Sequence, residues 1–168
     1  MRKSSKSRVP KPPGDPVEAG LRLLARRDHS REELRRKLSR RGHEQQALEE
    51  AIRRIDESYG LDDQAFARSY VRRRASTKGP LAIAAELAAR GIDRRSAQAA
   101  LAGFGADEQL ASATRLAERL YEQSGRRMGD RDALNKIGTK LLRRGFSTAI
   151  VRAACRAVLE GAAQATDD

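Results

Sequence analysis

The chain has little of what large globular cores and metal sites are built from. Aromatic residues make up 4% of its 168 residues, and tryptophan is absent. The single cysteine, Cys155, excludes an intrachain disulfide, and one cysteine with two histidines falls short of the usual structural zinc ligand sets. No run of about 18 apolar residues occurs, so no transmembrane helix is predicted. The basic N-terminus has no apolar stretch behind it, which argues against a secretory signal. We therefore expect a cytoplasmic protein without a cofactor.

Proline is also scarce, and its distribution predicts helices. Four of the five prolines lie in the first 16 residues, and after them only Pro80 interrupts the chain. The remainder is rich in alanine, leucine, arginine and glutamate, which have high helix propensity. We predict an all-α fold, preceded by a disordered, basic, proline-rich tail over residues 1–16.

Positive charge is the most pronounced feature of the composition. Lysine and arginine total 35 against 23 acidic residues, a formal net charge of +12. Such a surplus is typical of proteins with an anionic partner, either nucleic acid or an acidic protein surface. The tail carries five positive charges and one negative charge. Two interpretations of it stay open, an electrostatic tether for nucleic acid and a solvated segment without a role.

One sequence pattern occurs three times, over residues 34–42, 83–91 and 137–145. Each copy has two aliphatic residues four apart, an arginine three residues later and then a glycine. We call these the repeat glycines: Gly42, Gly91 and Gly145. A glycine at this place predicts a helix C-terminus in the left-handed conformation, where a Cβ is disfavoured. The repeat glycines are 49 and then 54 residues apart, so the chain is built from units of about this length.

The pattern predicts three tandem three-helix repeats, about nine helices in all. The repeats cover residues 17–60, 61–105 and 106–160, and a flexible C-terminus follows over 161–168. Helix starts are predicted at the capping residues Ser30, Asp62, Asp93 and Ser147. Because each repeat has few large apolar side chains, we expect the repeats to stack into an elongated, curved rod.

Catalytic motifs are missing from the sequence. His29 directly precedes a capping serine and is interpreted as a turn residue. Cys155 lies on an apolar helical stripe without a nearby base and is predicted to be buried core. A helix cap and a favourable charge–dipole contact account for Asp62 and Asp63. No Walker-type phosphate loop is present. We expect the protein not to be an enzyme.

Clusters of basic residues are the candidate binding residues. Three consecutive helical residues span about 200°, so one or two of Arg72–Arg74 face solvent while the third packs its stem or pairs with Asp62 or Asp63. A solvated helix end, favoured by the helix dipole, is the alternative. Arg41, Arg90 and Arg144 share one repeat position, which indicates a structural role. The full candidate set is Arg72, Arg73, Arg74, Lys78, Arg35, Arg36, Lys37, Arg40, Arg126, Arg127 and Arg143.

The central repeat carries a specific motif with fixed spacing. Its residues are Tyr59-Gly60-Leu61-Asp62-Asp63, Phe66-Ala67, Val71, Arg74, Gly79-Pro80, Ile83, Glu86-Leu87 and Gly91-Ile92. This motif closely resembles the central block of the RecX family of recombinase regulators. The first repeat fits through Asp28-His29-Ser30, Glu33-Leu34, Lys37-Leu38 and Gly42, and the third through Lys140-Leu141 and Arg143-Arg144-Gly145-Phe146. The resemblance covers roughly residues 17–160.

The resemblance implies a function. It implies a bacterial cytoplasmic protein of three three-helix repeats that binds the RecA filament on single-stranded DNA along its groove. Such a protein suppresses strand exchange, ATP hydrolysis and co-protease activity. The chain departs from many relatives at Leu81 and Ala82, where a basic residue is common. Two modes of binding stay open, one in the filament groove and one at a filament end. We expect a monomer with weak, nonspecific affinity for single- and double-stranded DNA.

An alternative class of function follows from the way the helices are connected. Each repeat contains two helices joined at a glycine, as in a helix-turn-helix, so a direct and largely nonspecific DNA-binding protein is the competing hypothesis. The second helices carry few side chains suited to reading base edges, which weakens it. The scarcity of aromatic residues for base stacking disfavours an RNA-binding repeat protein.

Overall fold

The computed structural model describes residues 14–124 and 130–167, and these residues form nine α-helices and no strand. The predicted all-α fold of three-helix repeats is confirmed. The helices are α1 (Pro16–Leu24), α2 (Arg31–Ser39), α3 (Gln45–Tyr59), α4 (Asp63–Arg74), α5 (Pro80–Ala89), α6 (Arg94–Leu101), α7 (Ala106–Gln123), α8 (Asp130–Arg143) and α9 (Thr148–Asp167).

Most helix ends follow the sequence signals. Each of the predicted caps Ser30, Asp62 and Asp93 accepts a hydrogen bond from a backbone N–H two or three residues further on, at 2.8–3.0 Å. Ser147 accepts from the Ile150 N–H at 3.3 Å. The three repeat glycines have φ of 88°, 78° and 85°, which confirms the predicted left-handed helix ends.

Two boundaries differ from the prediction. The first helix already begins at Pro16, because the Asp15 carboxylate caps it by accepting from the Val17 N–H at 3.0 Å. The end of the predicted tail therefore belongs to the first repeat. At the other end, α9 continues to Asp167, through most of the segment that was predicted to be flexible. The alanines of this segment have high helix propensity, which offsets the low propensity of Gly161, and no proline interrupts the helix. Residues 1–13 lie outside the described part of the chain.

The chain divides into two compact units after Leu61. In the first unit, α1, α2 and α3 pack around Leu34, Leu38, Leu48 and Ile55, all at most 1% exposed. His29 is buried in the turn before α2, where its Nδ1 lies 2.9 Å from a backbone carbonyl oxygen, in agreement with the predicted turn role.

The second unit contains two repeats, each with its own apolar core. The second repeat packs α4, α5 and α6 around a cluster that includes Phe66, Ile83 and Phe104. The third packs α7, α8 and α9 around a cluster that includes Ile137 and Phe146. Each core is therefore assembled within its own repeat.

Backbone atoms join these two repeats. The Gly79 N–H donates to the Arg144 carbonyl at 2.8 Å, and the Leu81 N–H donates to the Gly145 carbonyl at 3.2 Å. A Cβ on Gly79 would lie 2.4 Å from the Gly145 oxygen, and a Cβ on Gly145 would lie 2.2 Å from the Ala82 nitrogen. We call this the Gly79–Gly145 contact. It requires glycine on both sides because neither backbone leaves room for a side chain.

A substitution at Gly79 tests the contact. Gly79 and Gly105 are both helix N-caps with extended backbone, at φ −85°, ψ 169° and φ −65°, ψ 168°, and no atom lies within 4 Å of a Cβ placed on Gly105. Both Gly→Ala changes weaken an N-cap equally. The overpacking at Gly79→Ala should cost a further 1–3 kcal/mol or so of the free energy of unfolding. Urea titration followed by far-ultraviolet circular dichroism measures the difference. Equal losses in the two variants would contradict a tight contact.

Candidate partner-binding surface

The last turn of α4 carries three consecutive arginines that point to two sides of the helix. Arg73 and Arg74 lie on the side of Tyr70, with their guanidinium carbons 5.9 and 5.5 Å from the centre of its ring. Arg72 lies on the other side, where it lines a cavity of about 280 Å³ together with Arg68 and Glu108. Arg72 and Arg73 are exposed and Arg74 is half-buried, which agrees with the prediction that one or two face solvent.

Glu86 on α5 forms ion pairs with two neighbouring cations. Its carboxylate forms an ion pair with the Lys78 ammonium group and lies 3.5 Å from the Arg74 Nε. The Tyr70 hydroxyl donates to the same carboxylate at 2.7 Å and accepts from the Arg74 Nε at 3.3 Å. Arg74 therefore pairs with Glu86, and the alternative of a bridge to Asp62 or Asp63 is wrong. Asp62 is occupied in capping α4, while Tyr70 turns Arg74 towards α5.

Arg90 completes this cluster and was not among the candidate binding residues. Its guanidinium carbon lies 4.5 Å from the centre of the Tyr70 ring, a cation–π distance, and its Nη1 donates to the Glu86 carbonyl at 3.0 Å. The repeat pattern predicted a structural role for Arg90, and the hydrogen bond to its own helix agrees with that role. Nothing local in the sequence shows that the side chain also stacks on an aromatic ring from α4.

The third repeat adds a further cation. The Arg144 Nη1 donates to the Thr77 carbonyl at 3.4 Å, one residue before Lys78. The five cations Arg73, Arg74, Lys78, Arg90 and Arg144 form what we call the basic surface. The Glu86 carboxylate pairs with two of them, Lys78 and Arg74. The surface therefore keeps a large positive surplus and is suited to an anionic partner.

Hydrogen bonding keeps the groups of this cluster charged. Burial alone would raise the pKa of Glu86, but hydrogen bonds from Lys78 and Tyr70, together with the charges of Lys78 and Arg74, outweigh it and lower the pKa. The hydrogen bond with Tyr70 raises the pKa of Arg74. Glu86 is therefore a permanent counter-ion near neutral pH, and it fixes the positions of two cations without cancelling the charge of the surface.

The candidate residues of the first repeat have a different environment. Arg35 makes a bidentate ion pair with Glu49, at 2.9 and 3.0 Å, and a third contact with Glu32 at 2.8 Å. These bonds to Glu49 and Glu32 raise the pKa of Arg35. Arg36 pairs with Glu32 at 2.7 Å. Carboxylates of the same repeat thus compensate both arginines, which reduces their availability for a partner.

The remaining candidates are scattered or lie outside the described residues. Arg40 and Arg143 are exposed and Lys37 is half-buried, and none of the three has an ion-pair partner among the residues that the structure describes. Arg126 and Arg127 belong to residues 125–129, which are outside the described part. Within residues 14–124 and 130–167, no three metal-ligand side chains cluster, and no helix has the length and apolarity needed to cross a membrane.

Comparison with known proteins assigns all three repeats. Residues 18–54 match the family described as RecX, first three-helix domain, residues 62–101 match the second such domain, and residues 107–155 match the third. The chain belongs to the RecX family. The three RecX matches fall on α1–α3, α4–α6 and α7–α9, so each family domain corresponds to one repeat of the fold.

Individual RecX proteins are similar along most of the chain. Regulatory protein RecX of Xanthomonas axonopodis pv. citri (strain 306) is 42% identical over 146 residues, which cover 86% of this chain and 88% of that protein. Regulatory protein RecX of Stenotrophomonas maltophilia (strain K279a) is 39% identical over 142 residues, covering 84% and 85%. The crystal structure of RecX from Lactobacillus salivarius superposes with a TM-score of 0.72 at 29% identity, covering 85% of this chain and 94% of that one. The chain is thus a regulatory protein of the RecX type.

The Glu86 cluster predicts a pH-dependent contribution to stability. Because the pKa of Glu86 is lowered from its ordinary value of 4.5, its stabilising effect is present above that pH and is lost as the pH falls through the folded-state pKa. Glu86→Gln should therefore reduce the free energy of unfolding by about 1 kcal/mol at pH 7. The difference from the wild type should shrink as the pH is lowered below 4.5 and the carboxylate becomes protonated.

Urea titrations at a series of pH values measure this difference. Glu118→Gln is the matched control, because Glu118 is exposed on α7 and makes no ion pair among the described residues. A Glu86→Gln deficit that stays constant down to low pH would contradict the assigned role of its charge.

Proposed function

We propose that this RecX-family chain regulates the RecA recombinase, mainly as an inhibitor, by binding in the groove of the filament that RecA forms on single-stranded DNA. Binding there would suppress strand exchange, ATP hydrolysis and co-protease activity. The observation that carries the proposal is the basic surface, a group of five cations of which two, Lys78 and Arg74, pair with the Glu86 carboxylate. RecX family membership supports the choice of the partner, and the surplus charge fits an acidic protein face or DNA phosphate.

The construction of the basic surface suits contact with an extended partner. Its cations come from α4, from the loop after it, and from the residues that directly follow α5 and α8. The Gly79–Gly145 contact joins the two repeats that supply them, so a partner meets these groups in a fixed arrangement. Pre-ordered cations lose little conformational entropy on binding, which favours affinity. A protein that prefers one filament state would lower ATP turnover by shifting the population towards that state.

Charge distinguishes the two sides of α4. The side of Arg73 belongs to the basic surface. The side of Arg72 has Arg68 and Glu108 as neighbours, and Arg68 lies 3.9 Å from Asp62, so its surplus is smaller. We therefore place the partner on the Arg73 side, with Arg72 as a weaker contributor.

Charge reversal at these neighbouring residues tests the proposal. Arg73→Glu should raise the concentration of the protein that halves RecA ATP hydrolysis on single-stranded DNA by about tenfold or more, the size expected for loss and reversal of one interfacial charge. Arg72→Glu changes the net charge and the end of α4 in the same way and should shift this concentration by about threefold or less. Equal shifts would show that net charge alone matters, and a larger shift for Arg72→Glu would move the interface to the other side of the helix.

Direct DNA binding is the second candidate function. Arg94, Arg95 and Gln98 are exposed on the short helix α6, and no ion pair occupies the two arginines among the described residues. These residues support weak, nonspecific contact with phosphates. Its affinity should fall steeply with salt, with a slope of roughly −0.7 per phosphate contact on single strands. A fluorescence titration with single-stranded DNA alone, over a range of salt, gives that slope.

The two functions are distinguished by comparing the protein concentration that inhibits RecA with the concentration that saturates free DNA. Inhibition of RecA below the concentration at which this protein coats free DNA supports filament regulation. Inhibition that begins only when DNA is saturated would instead assign the effect to competition for DNA.

A further inference from the structure

The third repeat carries an apolar groove that the basic surface does not use. It lies between α8 and α9 and has a volume of about 710 Å³. Its walls include Leu134, Gly138 and Leu142 from α8 and Cys155 and Leu159 from α9. Leu142 is 47% exposed and Leu159 is 39% exposed, which leaves a substantial apolar area open to solvent.

The groove is lined by one row of residues from each helix, and both rows continue outward from the core. Positions 134, 138 and 142 are four residues apart, as are 151, 155 and 159, so each row lies along one side of its helix. Val151 belongs to the core of the third repeat, Leu134 and Cys155 pack against that core, and Leu142 and Leu159 lie outside it. Apolar residues at helical spacing normally serve a repeat's own core. Here the core is complete without Leu142 and Leu159.

The single cysteine lines this groove. Cys155 was predicted to be buried core, and that prediction is only partly met, because the side chain is half-buried and faces the groove. On the α8 side the position opposite is a glycine. A Cβ on Gly138 would lie 3.5 Å from Val151 and 4.0 Å from the Cys155 sulfur. The absence of a side chain at Gly138 therefore keeps the groove open.

The dimensions fit a short helix. From Leu134 to Leu142 the α8 wall is about 12 Å long at 1.5 Å per residue, which matches about two helical turns of a partner. Amphipathic helices bind such grooves through apolar residues spaced three or four apart.

The charges around the groove select an acidic occupant. Arg152 and Arg156 are exposed on α9 and line it, and neither has an ion-pair partner among the described residues. None of the groove-lining residues is acidic. The chain's own basic tail, with five positive charges and one negative charge, would be repelled. A second copy bound symmetrically through this groove would bring its arginines against the same arginines.

We propose that the groove between α8 and α9 binds a short, acidic, amphipathic helix of a partner protein. The leucines of the groove contact the apolar face of that helix, and Arg152 and Arg156 pair with its carboxylates. This interaction is separate from the basic surface, and it does not depend on the proposed regulation of RecA.

Cys155 allows occupancy of the groove to be measured without adding a label to the protein. Burial raises the pKa of the Cys155 thiol, so its reaction with a chromogenic disulfide reagent is best followed at about pH 8.5, where a larger share is thiolate. The probe is a fluorescein-labelled peptide of about 14 residues, with leucine at every third or fourth position and glutamate elsewhere. We expect saturating peptide to slow the modification of Cys155 at least about fivefold and to bind with a measurable change in anisotropy.

Two control peptides separate shape from charge. A peptide of the same composition with scrambled leucine spacing, and a peptide with lysine in place of glutamate, should each bind about tenfold more weakly or worse. Equal binding of the lysine peptide would overturn the charge assignment. Protection of Cys155 by a peptide of residues 1–13 would overturn the proposal in favour of the chain's own tail.

Matched variants locate the contact. Leu159→Gln should weaken binding of the acidic peptide at least about fivefold, and the Arg152→Gln/Arg156→Gln double variant should do so and reduce the salt dependence. Leu21→Gln is the control, because Leu21 is also 39% exposed and does not line the groove. All four positions are exposed, so folding should be preserved, and circular dichroism checks this. Unchanged binding by Leu159→Gln, no binding by the wild type, or a dimer that Leu159→Gln abolishes in sedimentation velocity would each overturn the proposal.

Discussion

The packing of the second repeat against the third depends on a close approach of two backbone segments, at Gly79 and Gly145, with no side chain between them. Gly145 ends α8 in the left-handed conformation, and its carbonyl accepts the Leu81 N–H at 3.2 Å. Gly79 donates in turn to the Arg144 carbonyl, and a Cβ at either glycine would overlap the opposite backbone. The residue that terminates a helix in one repeat is thus also the docking point for the neighbouring repeat. The position of Arg144 beside the Lys78 loop follows from this contact.

Carboxylates arrange the cations differently in the two units. In the first repeat, Glu32 and Glu49 together compensate Arg35 and Arg36, so the charges largely cancel where they lie. In the second unit, Glu86 alone fixes Arg74 and Lys78, and Tyr70 is surrounded by three guanidinium groups. A single counter-ion orders the side chains but leaves the surface positive. This difference separates an arginine that serves its own repeat from one that is available to a partner.

The sequence predicted local features well and pairings across elements poorly. Helix caps and repeat glycines were predictable because each depends only on one residue and the backbone next to it. Ser30 accepts a hydrogen bond from a nearby N–H of its own helix, and Gly91 adopts the left-handed conformation that ends a helix. The partner of Arg74 was not, since Glu86 lies twelve positions away and is reached only once α5 packs beside α4. Three further features could not be predicted for the same reason. They are the stacking of Arg90 on Tyr70, the groove around Cys155 and the contact of Gly79 with the third repeat. Each depends on where a different helix comes to lie.

The Gly79–Gly145 contact also explains how the chain tolerates a leucine directly after its Gly-Pro pair. The fold uses the amide of Leu81, while the side chain is 68% exposed and packs into no core. Any residue with a backbone N–H meets the structural requirement at this position, so its side chain can change from apolar to basic without disturbing the repeats. Position 81 therefore supports the packing of the two repeats through its main chain, while its side chain is open to solvent.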